Sequence, residues 1–98
     1  MKIDSILIAN RAEIACRVTR TCKQRGIRSI AIYSFEDRNS RHVKDADESY
    51  LLKNDSYLSI EDIIEIAKKS EAKAIHPGYG FLSENSEFAK KVTEAGII

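Results

Sequence analysis

The segment with the most unusual composition covers residues 76–85. It contains the only proline of the chain and two of its four glycines, with Tyr79 between Gly78 and Gly80. Glycines on both sides of an aromatic residue allow torsion angles that other residues resist, and they let a ligand or another chain come close. The segment therefore presents backbone donors and a ring for binding. Two interpretations stay open for Tyr79 and Phe81: they line a ligand site, or they pack into the core.

His76 is a residue type that acts in catalysis and binds metals, but it stands alone. The other histidine, His42, lies in a polar segment, and no cysteine or carboxylate has metal-ligand spacing beside His76. Cys16 and Cys22 fall on different faces of one predicted helix, so they form neither a disulfide nor a shared metal site there. No Ser-His-Asp set, P-loop lysine or pair of catalytic carboxylates is present. We predict no catalytic residue, no metal, and a structural role for His76.

Two further sets of polar residues have both a binding and an ordinary explanation. Glu84 stands near a helix start, where it either contacts a ligand or interacts favourably with the helix dipole. Arg17, Arg20 and Gln24 follow Glu13 at steps of four, three and four, so they share one helix face. That face is either solvated or an interface between subunits, because two arginines on a rigid helix suit bidentate contacts to carboxylates.

Four alternations of strand and helix must position these residues. Short apolar runs without alternation are typical of parallel strands covered on both faces. They predict strands at residues 6–9, 29–33, 49–52 and 73–75, with the start of a fifth at 97–98. Ligands collect beyond the carboxyl ends of such strands, which is where the segments after the first and fourth strands lie.

Helices are predicted between these strands, and a polar loop with a short helical turn at 34–48. Gly26 ends the first helix, Ser59 begins the second in a capping box with Asp62, and Ser83 or Asn85 caps the last. The predicted inward faces are Ile14, Val18 and Cys22 in the first helix, Ile60, Ile63, Ile64 and Ala67 in the second, and Phe88, Ala89, Val92 and Ala95 in the last.

The 98 residues suit a single domain, and the pattern predicts an α/β fold of three layers with a mostly parallel sheet of four to five strands. The net charge of +1 creates no field for nucleic acid or an anionic membrane, and no apolar run is long enough to span a bilayer. The turn after the first strand lacks glycine, which disfavours a dinucleotide site, so Asp37 is interpreted as a loop charge.

In order, four segments resemble the N-terminal domain of biotin carboxylases. They are Ile-Leu-Ile-Ala-Asn-Arg-Ala-Glu-Ile-Ala-Cys-Arg-Val at 6–18, the segment from Ala-Ile-Tyr-Ser to Ala-Asp-Glu at 31–48, Ser-Tyr-Leu at 56–58, and His-Pro-Gly-Tyr-Gly-Phe-Leu-Ser-Glu-Asn at 76–85. The resemblance covers essentially the whole chain. It extends to acetyl-, propionyl- and methylcrotonyl-CoA carboxylases, pyruvate carboxylase and urea carboxylase, and leans towards an acyl-CoA carboxylase α subunit.

The resemblance implies that residues 1–98 are one Rossmann-like, pre-ATP-grasp domain of a ligase that carboxylates biotin with ATP and bicarbonate. The ATP and Mg²⁺ sites of such enzymes lie in the ATP-grasp domain that would follow, so no cofactor is expected on this chain. The implied roles are a wall of the biotin cleft for Tyr79, Gly80 and Glu84, a structural loop for His76, Pro77 and Gly78, and a homodimer interface for Arg17, Arg20 and Gln24.

The partners that the resemblance implies are the remaining biotin carboxylase domains, a biotin carboxyl carrier domain and a carboxyltransferase subunit. The expected compartment is the cytoplasm, or the mitochondrial matrix after import. Two other functions stay open: a stand-alone dimerisation module and a small nucleotide binder.

Three features depart from the family pattern. Ala12 stands where the family usually has glycine, so the turn after Arg11 is expected to be strained or reshaped. Lys53, Asn54 and Asp55 replace a longer Gly-Pro-Ala-Pro-type loop, and the Phe-Ile-Gly-Pro expected after Ile98 is missing. We interpret the chain as an excised domain or a truncated gene product, which would not turn over ATP alone.

Overall fold

A parallel sheet of four strands runs through the middle of the molecule. In this computed structural model, which describes residues 2–98, the strands are β1 (Ser5–Ile8), β2 (Arg28–Tyr33), β3 (Glu48–Leu51) and β4 (Ala74–His76). Their order is β3-β2-β1-β4 and each pairing is parallel. The predicted parallel sheet is confirmed. The order, which the sequence did not predict, places the carboxyl ends of β1 and β4 side by side.

Four helices connect the strands: α1 (Ala12–Gln24), α2 (Arg41–Asp45), α3 (Ile60–Ser70) and α4 (Ser86–Glu94), with a short 3-10 turn at Phe35–Asp37. α1 contacts α2, and α3 contacts α4. Right-handed crossovers put the first pair on one face of the sheet and the second pair on the other, because the strand order reverses direction after β3. This is the predicted three-layer arrangement. Within residues 2–98, no helix is long and apolar enough to cross a membrane.

The main core lies between the sheet and the layer of α3 and α4. Strand side chains alternate between the two faces of a sheet, so alternate residues of β1 and β2 reach this core. Its members include Leu7, Ile30, Ile32, Ile63, Ala67, Phe88 and Val92, all buried. Ala89 was predicted to face inward and is exposed, because α4 packs through Phe88 and Val92 on the adjacent side of the helix.

The opposite face is covered less completely. α1 buries Ala15, Thr19 and Cys22, whereas Ile14 and Val18, which were predicted to be inward, are only half-buried. Both line an open groove of about 490 Å³ between α1 and β4. The prediction placed Ile14 and Val18 on the correct side of α1 but overestimated their burial, because no described element packs over this part of β4.

The helix starts differ from the predicted caps at one of two places. Asn85 caps α4 as predicted, since its Oδ1 accepts a hydrogen bond from the Phe88 N–H at 2.9 Å. The capping box at α3 is wrong: Asp62 Oδ2 accepts from the backbone N–H of Asn54 at 2.7 Å, and Ser59 Oγ accepts from the Asn54 side chain at 3.2 Å. The two side chains therefore fasten the short connection after β3 to α3 instead of capping the helix.

Candidate functional site

The chain leaves β1 and β4 at the same edge of the sheet, because Ile8 and His76 are partners in the parallel register. Asn10 follows β1 and is 1% exposed. Its Nδ2 donates to the carbonyl oxygen of Pro77 at 2.9 Å and to that of Tyr79 at 2.8 Å. The buried side-chain amide of Asn10 thus connects the turn after β1 to residues 77–85 between β4 and α4, the glycine loop.

The two glycines of the loop have different reasons to be glycine. Both have a positive φ, +68° at Gly78 and +72° at Gly80. A Cβ on Gly78 would lie 2.8 Å from Asn10 Nδ2 and 2.8 Å from Ile14 Cγ2, whereas a Cβ on Gly80 would have no atom within 4 Å. Gly78 is therefore the point where the loop contacts the body of the domain. Gly80 lies in open space, where bare backbone is accessible to a ligand.

The two aromatic rings of the loop divide between the two interpretations. Tyr79 is 71% exposed, so it does not pack into the core. Phe81 is 45% exposed, and its ring is tilted against Tyr57 with 5.5 Å between ring centroids. Glu84 is also exposed, in the turn before α4. The loop consequently exposes the Tyr79 ring, the Gly80 peptide and the Glu84 carboxylate, while the partly exposed Phe81 ring packs against Tyr57.

A polar cluster around the buried carboxylate of Asp37 supports this edge from the side of β2. Arg11 makes a bidentate ion pair with Asp37, with Nε to Oδ2 at 2.5 Å and Nη2 to Oδ1 at 2.6 Å. The Tyr57 hydroxyl donates to Asp37 Oδ2 at 2.6 Å. The hydrogen bonds from Arg11, and then from Tyr57, hold the pKa of the Asp37 carboxyl well below its usual range, against the opposing effect of burial. Burial, followed by the bond to Asp37, raises the pKa of Tyr57 to about 12.

This cluster corrects the interpretation of Asp37 as a loop charge. Asp37 is 6% exposed and stays ionised, so it joins the turn after β1 to the 3-10 turn after β2 and to the segment before α3. Because Phe81 packs on Tyr57, the same cluster also supports the glycine loop. The partners are 26 and 20 residues apart in sequence, and no local spacing could have paired them.

The turn after β1 is strained, as the sequence predicted for Ala12. Ala12 has a φ of +58°, in the left-handed region that disfavours residues with a Cβ. Beside it, His42 is buried, although the sequence placed it in a polar loop. His42 Nε2 contacts the carbonyl oxygen of Ile32 at 3.1 Å, and Nδ1 accepts from the Ala12 N–H at 3.4 Å. A neutral ring with its proton on Nε2 satisfies both contacts, and burial lowers the pKa of His42.

The remaining predicted residues lie on α1 and at the end of β4, and two of them, Arg17 and His76, line the same groove as Tyr79. Arg17, Arg20 and Gln24 are exposed on α1, and Arg17 borders the groove beside β4. Their position suits a solvated face and an interface equally, so the interface stays a prediction. His76 is exposed, and its Nδ1 accepts from the Gly78 N–H at 3.0 Å, which is a structural contact.

The carboxyl edge of the sheet carries exposed groups that could bind a ligand. Within residues 2–98, no three His, Cys, Asp or Glu side chains gather in a way that could hold a metal ion. Cys16 and Cys22 are free thiols, and burial raises the pKa of both. What the edge offers is an exposed tyrosine, an accessible glycine peptide and a carboxylate, on a loop fixed by buried polar groups.

Known proteins share both this sequence and this fold. Residues 2–98 match the family model described as biotin carboxylase, N-terminal domain. The chain is 58% identical over 100 residues to the mitochondrial methylcrotonoyl-CoA carboxylase subunit alpha of Mus musculus, covering 98% of this chain and 14% of that protein. It is 53% identical over 96 residues to the biotin carboxylase of Halalkalibacterium halodurans, covering 94% of this chain and 21% of that protein.

A solved structure agrees with these relatives. The biotin carboxylase domain dimer of the 2-oxoglutarate carboxylase of Hydrogenobacter thermophilus, solved with MgADP, ADP and bicarbonate, superimposes with a TM-score of 0.94 at 49% identity. The match covers 99% of this chain and 22% of that one. The chain therefore spans about a fifth or less of the length of these relatives. With its sequence and fold both matched along almost its whole length, the chain belongs to the family of biotin carboxylase N-terminal domains.

Proposed function

We propose that this chain forms one wall of the biotin cleft of an ATP-dependent biotin carboxylase and takes no part in making or breaking bonds. The observation that carries the proposal is the exposed Tyr79–Gly80 peptide at the carboxyl edge of a parallel sheet, the edge where such folds bind ligands. The flat ureido ring and aliphatic tail of biotin suit an aromatic face beside bare backbone. Glu84 lies on the same loop and adds a carboxylate to this wall.

The chemistry of the proposed enzyme requires groups that residues 2–98 do not bring together. ATP, Mg²⁺ and bicarbonate would bind in the parts of the enzyme that correspond to the remaining length of the relatives. The Hydrogenobacter thermophilus domain, of which this chain covers 22%, was solved with MgADP, ADP and bicarbonate, so a domain of that length can bind all three. We therefore expect no cofactor on this chain itself and no ATP turnover by the chain alone.

The partners follow from the same proposal. They are the other biotin carboxylase domains, a biotin carboxyl carrier domain and a carboxyltransferase subunit. We propose the exposed face of Arg17, Arg20 and Gln24 as part of a homodimer interface, since the solved relative is a dimer. The compartment would be the mitochondrial matrix in a eukaryote, as the name of the mouse relative suggests, and the cytoplasm in a bacterium.

A hybrid enzyme tests the biotin wall. In it, this chain replaces the 96-residue segment that it matches in the Halalkalibacterium halodurans biotin carboxylase. Tyr79→Ala should raise the KM for free biotin about tenfold, which corresponds to about 1.4 kcal/mol of binding, and leave the KM for ATP unchanged. Tyr79→Phe keeps the ring and should behave like the parent hybrid.

Ile3→Ala is the matched control for the loss of an exposed apolar side chain, because Ile3 precedes β1 at the opposite edge of the sheet. The KM for biotin should not change in this variant. An unchanged KM for biotin in Tyr79→Ala, or an equal rise in Ile3→Ala, would exclude the proposed wall.

The interface is tested by reversing charge on α1. Arg17→Glu combined with Arg20→Glu should lower the mass of the hybrid in sedimentation from dimer to monomer, because like charges would then face each other across the contact. Lys90→Glu changes an exposed cation on α4 and should leave the mass unchanged. A hybrid that stays dimeric with both arginines reversed would contradict the interface.

A further inference from the structure

The side chain of Asn10 uses its hydrogen-bonding groups on two segments that are far apart in sequence. Its two N–H groups are directed at the carbonyl oxygens of Pro77 and Tyr79, and its Oδ1 accepts from the Arg11 N–H at 2.8 Å. An amide side chain has two donors, so both are used on the glycine loop. Because Asn10 is buried, no water competes for these bonds.

The two bonds fix the orientation of the peptide that faces the candidate biotin site. A trans peptide is planar, and its carbonyl and N–H point in opposite directions. Asn10 draws the Tyr79 carbonyl towards the body of the domain, so the N–H of Gly80 is turned away from it. The Gly78 N–H is taken by His76 Nδ1, whereas the Gly80 N–H has no acceptor within residues 2–98.

The contact between Asn10 and the loop also leaves no room for a side chain at position 78. The missing Cβ of Gly78 is what lets the loop backbone descend onto Asn10, since that atom would lie 2.8 Å from Nδ2. A longer or bulkier side chain at position 10 would push the loop backbone away from the body of the domain. A side chain without donors would remove the hydrogen bonds to Pro77 and Tyr79. Asn10 and Gly78 therefore determine together how closely the loop backbone approaches the body of the domain.

We propose that Asn10 is a positioning residue for the biotin wall: its amide holds the Tyr79–Gly80 peptide so that the Gly80 N–H and the Tyr79 ring face the substrate. This role rests on the proposed function. Asn10 itself is buried beneath the loop and does not touch the substrate.

The test uses two Asn→Asp substitutions in the same hybrid enzyme. Asn10→Asp keeps the shape of the side chain but replaces two donors with acceptors, which repel the carbonyls of Pro77 and Tyr79. Asn85→Asp is the matched control, because Asn85 uses only its oxygen, as an acceptor for the Phe88 N–H, and a carboxylate performs that role equally well.

Two measurements are made on each variant. In Asn10→Asp, the KM for biotin should rise about tenfold while the KM for ATP stays constant, because two hydrogen bonds to the loop are lost. Hydrogen exchange followed by mass spectrometry should be faster in the peptide covering residues 77–82. Asn85→Asp should match the parent in both measurements. Asn10→Ser retains one donor and, if Asn10→Asp does not fold, should give a smaller rise in the same KM.

The outcomes separate this inference from the proposed function. If Tyr79→Ala raises the KM for biotin but Asn10→Asp and Asn10→Ser do not, the wall stands and the positioning role is overturned. If Tyr79→Ala has no effect, the biotin wall itself fails, and faster exchange in Asn10→Asp would then show only that Asn10 holds the loop. A joint rise in the KM values for biotin and ATP would indicate general misfolding and would also overturn the specific role.

Discussion

The turn after β1 and the loop after β4 meet at the same edge of the sheet but are built in opposite ways. In the turn, Asn10 is buried, Arg11 is locked to Asp37, and Ala12 carries strain. In the loop, glycines supply two of the three positive φ values, Phe81 at +44° supplies the third, and Tyr79 is exposed. The turn is the fixed support and the loop is the accessible surface. The comparison teaches that a binding surface rich in glycine can be precise when its partner segment is rigid.

The largest loss of stability is expected from a side chain inserted between the turn and the loop. Gly78→Ala should lower the free energy of unfolding of the chain by about 3 kcal/mol, because the new Cβ overlaps Asn10 and Ile14 and the φ is unfavourable. Gly80→Ala has nearly the same φ without any overlap and should cost about 1 kcal/mol. Urea denaturation measures both. Equal losses in the two variants would show that the overlap is relieved at no cost.

Removing the anchor of the turn should have the next largest effect. Asp37→Ala leaves Arg11 and the Tyr57 hydroxyl without their shared acceptor, and we expect a loss of about 2 kcal/mol, since Arg11 can still reach water. Glu65→Ala removes an exposed ion pair with Lys53 and should leave the urea midpoint unchanged. The comparison between turn and surface is wrong if the two variants unfold at the same midpoint.

Acid should weaken the turn after β1, where the buried His42 contacts Ala12. His42 has a lowered pKa when folded, so its contribution to stability is complete above its unfolded pKa of about 6.5 and declines as the pH falls below that value. The charged groups near His42 are Asp37, which opposes this shift, and Arg11, which reinforces it. His42→Gln should therefore reduce the loss of stability between about pH 6.5 and pH 5.

Asp37 gives a second, lower window: its carboxylate contributes stability above its unfolded pKa of about 3.9, and this is lost as the pH falls towards the lower folded pKa. A His42→Gln variant with the parent's profile above pH 5 would contradict the role assigned to His42.

The smallest expected effect is an increase in stability. Ala12→Gly should raise the free energy of unfolding by about 0.5 kcal/mol, because glycine relieves the left-handed strain but gives the unfolded chain more freedom. Ala89→Gly, in the exposed interior of α4, should instead lower it by about 1 kcal/mol. Urea denaturation compares the two. A loss in both variants would show that the turn holds Ala12 without strain.

The sequence predicted the elements of the fold better than it predicted the burial of polar residues. Apolar runs and helical periodicity identified the four strands and the order of strand and helix, since these patterns are local. Asp37 and His42 were misjudged because their partners, Arg11 and Ala12, are distant in sequence and become neighbours only when β1 and β2 pair. The exposed loop was found from its composition. The buried support beneath it left no comparable signal.

The capping error at α3 has the same physical origin. Ser59 and Asp62 have the spacing of a capping box, but the short connection after β3 brings Asn54 within reach, and its donors use both side chains. A local motif describes which bonds are available, and the tertiary structure decides which of them form. Where no competing donor is near, as at Asn85, the local prediction holds.

The bonds from Asn10 to the loop also bear on the order in which the molecule folds. They join residues 67 and 69 positions apart, among the longest separations in the chain. Closing such a long segment costs entropy that is recovered only after β4 has docked beside β1. We therefore expect the glycine loop to take its final shape late in folding. Substitutions at Asn10 should accelerate unfolding more than they slow folding.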